Sequence, residues 1–223
     1  MNPNSSTNKG GAELLLEKLS AAQRVLIGIG GEWRIDGRLS NEKNHEVKEA
    51  YDALYQLVKD KDYFIVTTVT DGAIYDTEFR RDRMVAPCGN IHWRQCSKAC
   101  TKDIWEEGEI PDDICPHCGQ PLTGNTIQAE TYIEEGYLSM WKKYQLWLST
   151  TLNRDLAVLE LGEGFRTPTV IRWPFEKTVF FNQKAWLFRI HAEFHQTTQE
   201  IRERSTSVPE NSVTFIRRTQ TDQ

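Results

Sequence analysis

Apolar positions recur along this chain in two rhythms, and the switches between them mark out its elements. In AELLLEKLSAAQR, residues 12–24, Leu14, Leu15, Leu16 and Leu19 fall at helical spacing. The next run, RVLIGIGGEW, stays apolar until it reaches glycines, as a buried strand ending in a turn does. NHEVKEAYDALYQLVKD puts Val47, Tyr51, Leu54 and Leu57 on one helical face, and DYFIVTTVTD is a second β-branched run. RMVAPCG predicts a weaker third strand. Beyond a cysteine-bearing segment, YIEEGYLSMWKKYQLWLSTTL carries Tyr137, Met140, Trp141, Tyr144, Trp147 and Leu148 along one side of a long helix. DLAVLELGEG and KAWLFRIH read as two more buried strands, with a helix between them near TPTVIRWPFEKTVF. Strands alternating with helices predict an α/β fold, a mostly parallel sheet with helices on both faces. The last stretch, ERSTSVPENSVTFIRRTQTDQ, is polar apart from a few residues and reads as a loose extension or an oligomer contact.

Composition narrows the partners. The 223 residues, 39% of them hydrophobic, suffice for one α/β domain and are short for two. A net charge of −5 supplies no basic field, so nucleic acid is not an expected partner. No apolar run reaches membrane-spanning length and MNPNSSTNKGG leads into no apolar signal core, so the expectation is a cytoplasmic protein with no membrane partner. Five cysteines, four of them in two tight pairs, suit a metal site in a reducing compartment better than a disulfide frame.

Those four are Cys96, Cys100, Cys115 and Cys118, a C-x3-C pair and a C-x2-C pair separated by residues 101–114. The spacing lets two knuckles converge on a structural zinc ion, and four thiolates close the coordination sphere against a catalytic water. His117, inside the second knuckle, is expected to be a surface residue. Gly28, Gly30 and Gly31 follow the first strand, and Gly162 and Gly164 follow a later one. Glycines there let a backbone approach a pyrophosphate, although an unliganded glycine turn is also common. Beside the first turn, Glu32, Trp33 and Arg34 offer a carboxylate, a stacking face and a phosphate partner, or simply a mobile loop. Glu163 is either a part of the nucleotide site or a solvated charge inside the second turn.

The order of GIGG after one strand, TTVTD after the next, CGN before a four-cysteine ribbon, then LELGEG and LFRIH resembles a sirtuin. LELGEGFRTPTVIRWPF together with WRQCSKAC is similar to the class-M sirtuins of microbes, encoded beside macrodomain proteins. The resemblance runs over residues 12–195, with the ribbon as an insert at 91–123 and a polar extension at 196–223. It implies a Rossmann-like, NAD-binding domain that breaks the nicotinamide–ribose bond and passes ADP-ribose to a protein or small-molecule acceptor. It also implies a carrier or macrodomain protein as partner, and the polar tail leaves a homo-oligomer as a further option. Gly28, Gly30, Gly31, Gly162 and Gly164 would face the phosphates. Asp71 would match the acidic position at the nicotinamide end, and His191 would take the place of an adenosine-contacting asparagine.

The departures matter as much as the matches. Cys88-Gly89 stands where the family has its catalytic His-Gly, and Val69 stands where it has an asparagine. Only residues 34–62 separate the first glycine turn from YFIVTT, so the small helical module and its cofactor-capping loop are expected to be missing. Cys88 is then a nucleophile, base or acceptor beside the reacting ribose, where a cationic nicotinamide would lower its pKa, or a small buried residue filling space. His92 is its nearest candidate partner. Asp71 is either a catalytic group with Cys88 or the N-cap of GAIYDTEF. Three functions remain: an NAD-consuming transferase or glycohydrolase, a degenerate sirtuin that binds NAD or ADP-ribose as a sensor or scaffold, and, third, a deacylase.

Overall fold

A computed structural model describes residues 5–37 and 40–221. Helix α1 (Ser5–Ala21) leads into β1 (Arg24–Ile29), and α2 (Asn41–Val58) leads into β2 (Asp62–Thr67). Ser40 starts α2 as expected of its residue type, its hydroxyl accepting from the Lys43 amide at 3.3 Å. β3 (Met84–Val85) is the short strand expected at RMVAPCG. β4 (Gly89–Cys96), β5 (Trp105–Glu106) and β6 (Leu122–Thr126) form a separate antiparallel sheet, ordered β5-β4-β6, which is the cysteine ribbon. α3 (Glu135–Ser149), β7 (Leu156–Leu161), α4 (Arg172–Phe181), β8 (Ala185–Ile190), β9 (Ser205–Val208) and α5 (Ser212–Thr221) complete the chain.

The main sheet has six strands in the order β3-β2-β1-β7-β8-β9, all parallel. Alternation along β1 explains its continuous apolar run. Val25, Ile27 and Ile29 point into one core with Leu15, Leu54 and Phe215, whereas Leu26 points into the other with Tyr144, Trp147 and Phe175. The face of α3 expected from Tyr137, Met140, Trp141, Tyr144, Trp147 and Leu148 is the face that packs on this second core. Connections leave β1 toward β2 on one side and reach β7 on the other, so the β1/β7 pair is the topological switch point. Its last register pair is Ile29 with Leu161, and both glycine turns begin immediately beyond it. In sheets of this kind ligands bind outside the strand ends at that point.

One strand pair carries buried charge. Glu160 of β7 accepts from Arg189 of β8 at 2.7 and 2.8 Å and from Arg172 of α4 at 3.3 Å, and Arg189 also meets Glu176 at 2.6 Å. Removing any one partner would leave an uncompensated buried charge. Arg172 also donates to the carbonyls of Glu163, Phe194 and Gln196, tying the second glycine turn to the loop after β8.

The expectation of a loose tail is corrected here. Residues 205–208 pair with β8 as the sixth strand, from Leu187↔Ser205 to Ile190↔Val208. Helix α5 buries Val213, Phe215 and Ile216, and Arg217 bridges to Glu46 and Glu49 of α2 at 2.9 and 2.6 Å. A four-residue strand of Ser, Thr and Val and a short helix with three core residues are too brief to stand out from a polar background.

Candidate functional site

Each glycine of the two turns answers a different steric demand. Gly28 does not face the site: a Cβ there would lie 2.5 Å from Ile171 and 2.7 Å from Phe175, so its role is to let α4 lie flat on β1. This corrects its assignment to the phosphates. Gly30 is where the turns after β1 and β7 come closest, and a Cβ would meet the Glu163 Cα at 2.4 Å and the Gly162 carbonyl at 2.5 Å. A Cβ at Gly31 would meet nothing within 4 Å, and Gly164 opens toward Phe194 and His191. Gly162, at φ +66°, sits under Glu32 and Ser212.

Between the turns lies a cleft of about 510 Å³, bordered by Gly31, Glu32, Arg34, Thr68, Val69, Gly162, Glu163, Gly164 and His191, with Phe165, Arg166 and Phe194 at the outer wall. The volume is within the ordinary range for small-molecule sites. Phe165 and Phe194 meet edge to face at 5.4 Å, and His191 packs on Phe194 at 4.9 Å. Nδ1 of His191 accepts the amides of Glu193 and Phe194 at 2.9 and 3.0 Å, which leaves Nε2 to carry the proton of the neutral ring. Burial lowers its pKa, keeping it neutral beside Glu32.

Glu163 is not a solvated charge. It is 2% exposed, with Oε2 accepting from the Thr68 hydroxyl at 2.6 Å and Oε1 from Thr167 at 3.4 Å. Burial pushes its carboxyl up to about 7, opposed by these two hydroxyls and by Arg172 and reinforced by Glu160. Glu32 borders the cleft, but its carboxylate is already committed. Oε1 accepts the Ala192 amide at 3.0 Å, and Oε2 accepts the amide and hydroxyl of Ser212, both at 2.7 Å. It therefore clamps the first turn to α5 rather than offering a charge to a ligand. Trp33 is wholly buried, donates to Ser212 Oγ at 2.9 Å and packs on Tyr51 at 4.9 Å, so it is neither a stacking face nor part of a mobile loop.

Asp71 holds the loop that carries Arg34. Its Oδ2 accepts the Ile35 amide at 2.6 Å, and its Oδ1 accepts the Ala73 amide at 2.9 Å at the start of a short turn of helix over Ala73–Asp76. Desolvation raises its pKa, while the two amides, Arg34 and His92 act in the opposite sense. Asp71 is not the N-cap of this turn, a place taken by Gly72; its carboxylate ties the start of the turn to the Ile35 backbone, and Arg34 is left at the cleft's edge.

Cys88 is 2% exposed, and burial raises its thiol to about 11, only partly offset by the Thr167 hydroxyl. At neutral pH the buried Cys88 is thus a neutral thiol, and the lowered pKa expected of it belongs to a site that holds a cationic nicotinamide. His92 is not its partner, because Nδ1 of His92 lies 2.7 Å from Glu107. Thr167 connects Cys88 to Glu163, a link that sequence reading missed. Both Thr68 and Thr167 stood within quoted motifs, but nothing in a threonine's neighbours announces that it will meet a glutamate 95 residues away.

The ribbon brings its four sulfurs within 4.8 Å of one another, with Cys96–Cys118 and Cys100–Cys115 each at 3.6 Å. Thiolates about 2.3 Å from a zinc ion stand about 3.8 Å apart at tetrahedral angles, so the donor set fits zinc. The knuckles fold by backbone bonds from Ala99 to Cys96 and from Gly119 to Cys115, both 2.9 Å. His117 points away to Asp103 at 2.8 Å and is exposed, as expected.

No family model matches the chain. Among curated proteins it is 24% identical over 204 residues to a Staphylococcus aureus protein named "Protein ADP-ribosyltransferase", covering 82% of this chain and 65% of that one. It is also 24% identical over 143 residues to a Fusarium oxysporum f. sp. cubense protein named "Probable bifunctional ADP-ribose hydrolase/ADP-ribosyltransferase", covering 53% of this chain and 24% of the other. The matched region thus spans less than two thirds of either relative. Solved structures of Sir2 homologue mutants in complex with ADP-ribose superpose with TM-scores of 0.59 and 0.58 at 12% identity, covering 94% of this chain and 95% of theirs. In its parallel sheet, its switch-point glycine turns and its four-cysteine ribbon, this chain has the fold of the Sir2 homologues.

Proposed function

We propose that the chain is an NAD-dependent ADP-ribosyltransferase, breaking the nicotinamide–ribose bond and passing ADP-ribose to a protein or small-molecule acceptor. The observation that carries this reading is the cleft at the β1/β7 switch point, where Gly31 and Gly164 open onto the same space as Arg34, His191 and a buried carboxylate. The names of the two curated relatives and the ADP-ribose bound by the Sir2 homologues support it. The open backbone at Gly31 and the guanidinium of Arg34 would receive the pyrophosphate, and the Phe194–His191 wall a flat base. An ionised Glu163 would stabilise the positive charge that develops on the ribose as nicotinamide departs. Asp71 contributes by fixing the Ile35 backbone beside Arg34, and Cys88 by packing near Glu163, bonded to the Thr167 hydroxyl. Zinc would hold the ribbon and take no part in the chemistry. The fungal relative's name pairs ADP-ribose hydrolysis with transfer, which supports a partner that acts on ADP-ribose.

A second reading, a binder of NAD or ADP-ribose that does no chemistry, is favoured by Val69 and the neutral Cys88 at positions where the resembled family keeps polar catalytic groups. One experiment separates them. Zinc-loaded protein incubated with NAD releases nicotinamide if the first reading holds, and chromatography measures it. Thermal stabilisation by ADP-ribose without release at any pH would establish the second.

A further inference from the structure

Transfer of ADP-ribose to an oxygen raises a question that the transferase reading leaves open: where the acceptor's proton goes. The groups in and around the cleft answer it by their existing bonds. Both oxygens of Asp71 accept backbone amides, and both oxygens of Glu32 are held by Ala192 and Ser212. Nδ1 of His191 is occupied by two amides, and Cys88 is a buried thiol. Glu163 differs. Its Oε2 has the Thr68 hydroxyl at 2.6 Å, but the Thr167 contact to Oε1 is long at 3.4 Å, which leaves that oxygen room for another donor. The group lies in the turn after β7, against Gly30, on the wall of the cleft.

We infer that Glu163 is the general base of this cleft, and that the acceptor is therefore an O–H group, an alcohol or water, rather than a carboxylate with no proton to lose. The inference rests on the transferase reading. In the step, the acceptor oxygen bonds to C1′ of the nicotinamide ribose while the C1′–N bond breaks and its electron pair leaves with neutral nicotinamide. The acceptor's proton passes to Glu163 and then to solvent, so that NAD and ROH give the ADP-riboside, nicotinamide and one proton. The charged and titratable groups facing Glu163 are Glu160 of β7, Arg172 of α4 and Cys88, with the hydroxyls of Thr68 and Thr167. A carboxyl held near 7 by that surrounding is matched to accepting a proton at neutral pH.

The test compares nicotinamide release from NAD by wild type, Glu163→Gln and Thr68→Val across pH 5–9, with water, methanol or sodium azide as acceptor. The expected result is an acid limb in the wild-type rate near pH 7 and a loss of about 100-fold or more in Glu163→Gln. Azide carries no proton, so it should restore release in Glu163→Gln and give the azido product, which a purely structural role would not permit. Thr68→Val, lacking the hydroxyl that favours the carboxylate, should move the acid limb to higher pH. This keeps the test decisive if Glu163→Gln does not fold. Unchanged release and pH profile in Glu163→Gln, or a slow variant that azide does not rescue, would overturn the base while leaving the transferase standing. No release by the wild type at any pH would overturn both. ADP-ribose alone as product identifies water as the acceptor, and a methyl riboside identifies an alcohol-accepting site.

Discussion

Ser212 gives both its backbone amide and its hydroxyl to one oxygen of Glu32, each at 2.7 Å, across 180 residues of sequence. The carboxylate acts as an N-terminal cap for α5 supplied from the first glycine turn, and its other oxygen holds Ala192 beyond β8. Glu32→Ala should therefore weaken nucleotide affinity and lower stability together, the latter by roughly 1–3 kcal/mol, because buried donors at Ser212 and Ala192 lose their acceptor. Denaturant unfolding and calorimetric titration with ADP-ribose would show it. A variant with wild-type stability and lost affinity would mean that Glu32 touches the ligand instead.

Gly28→Ala should destabilise by about 1–3 kcal/mol, since the new methyl meets Ile171 at 2.5 Å and Phe175 at 2.7 Å. Gly31→Ala meets nothing within 4 Å and should leave stability nearly unchanged while weakening ADP-ribose binding. Opposite ranking of the two variants by melting temperature would contradict this division of labour.

Glu163 also makes stability depend on pH. Its carboxyl titrates near 4.5 when unfolded and near 7 when folded, so the folded protein holds the extra proton between those values. Its contribution is complete below pH 4.5 and is lost as pH rises through 7, a cost on the order of 3 kcal/mol at pH 8. Glu163→Gln should accordingly raise stability relative to wild type more at pH 8 than at pH 5. Unfolding curves at the two values measure this directly.

Zinc removal should separate the thiols. In the metal-loaded protein, Cys88 is buried and its thiol is raised to about 11, so all five cysteines should react slowly with a thiol reagent near neutral pH. After chelation the four ribbon cysteines should react fast and Cys88 remain slow. Metal analysis should find one zinc per chain, lost in Cys96→Ser and kept in His117→Ala, because His117 is bonded to Asp103.

Much of this was legible in the sequence because it rests on local signals. The strands of the main sheet announced themselves by short, mostly apolar runs, and the ribbon by cysteine spacing, where chemistry leaves few alternatives. Gly28 misled because a glycine at a strand end looks the same whether a phosphate or the side chains of Ile171 and Phe175 require it. Glu163 stood between a nucleotide-site residue and a solvated loop charge because its burial depends on Thr68 and Arg172, which approach it only after the sheet forms. The last strand and helix were overlooked because they bury few residues, and those few complete a core begun near residue 15.

That arrangement has a consequence for the order of events in the cell. The chain is made from its first residue onward, yet the turn at residues 31–33 is fastened by Ser212, and the outer sheet edge is supplied by residues 205–208. A nascent chain with every glycine and the whole ribbon already outside the ribosome still has an unfastened pocket. If the cleft takes a nucleotide as proposed, its capture is thus deferred until residues 205–221 have emerged, and a product truncated before them would be blind to the nucleotide and exposed to proteolysis.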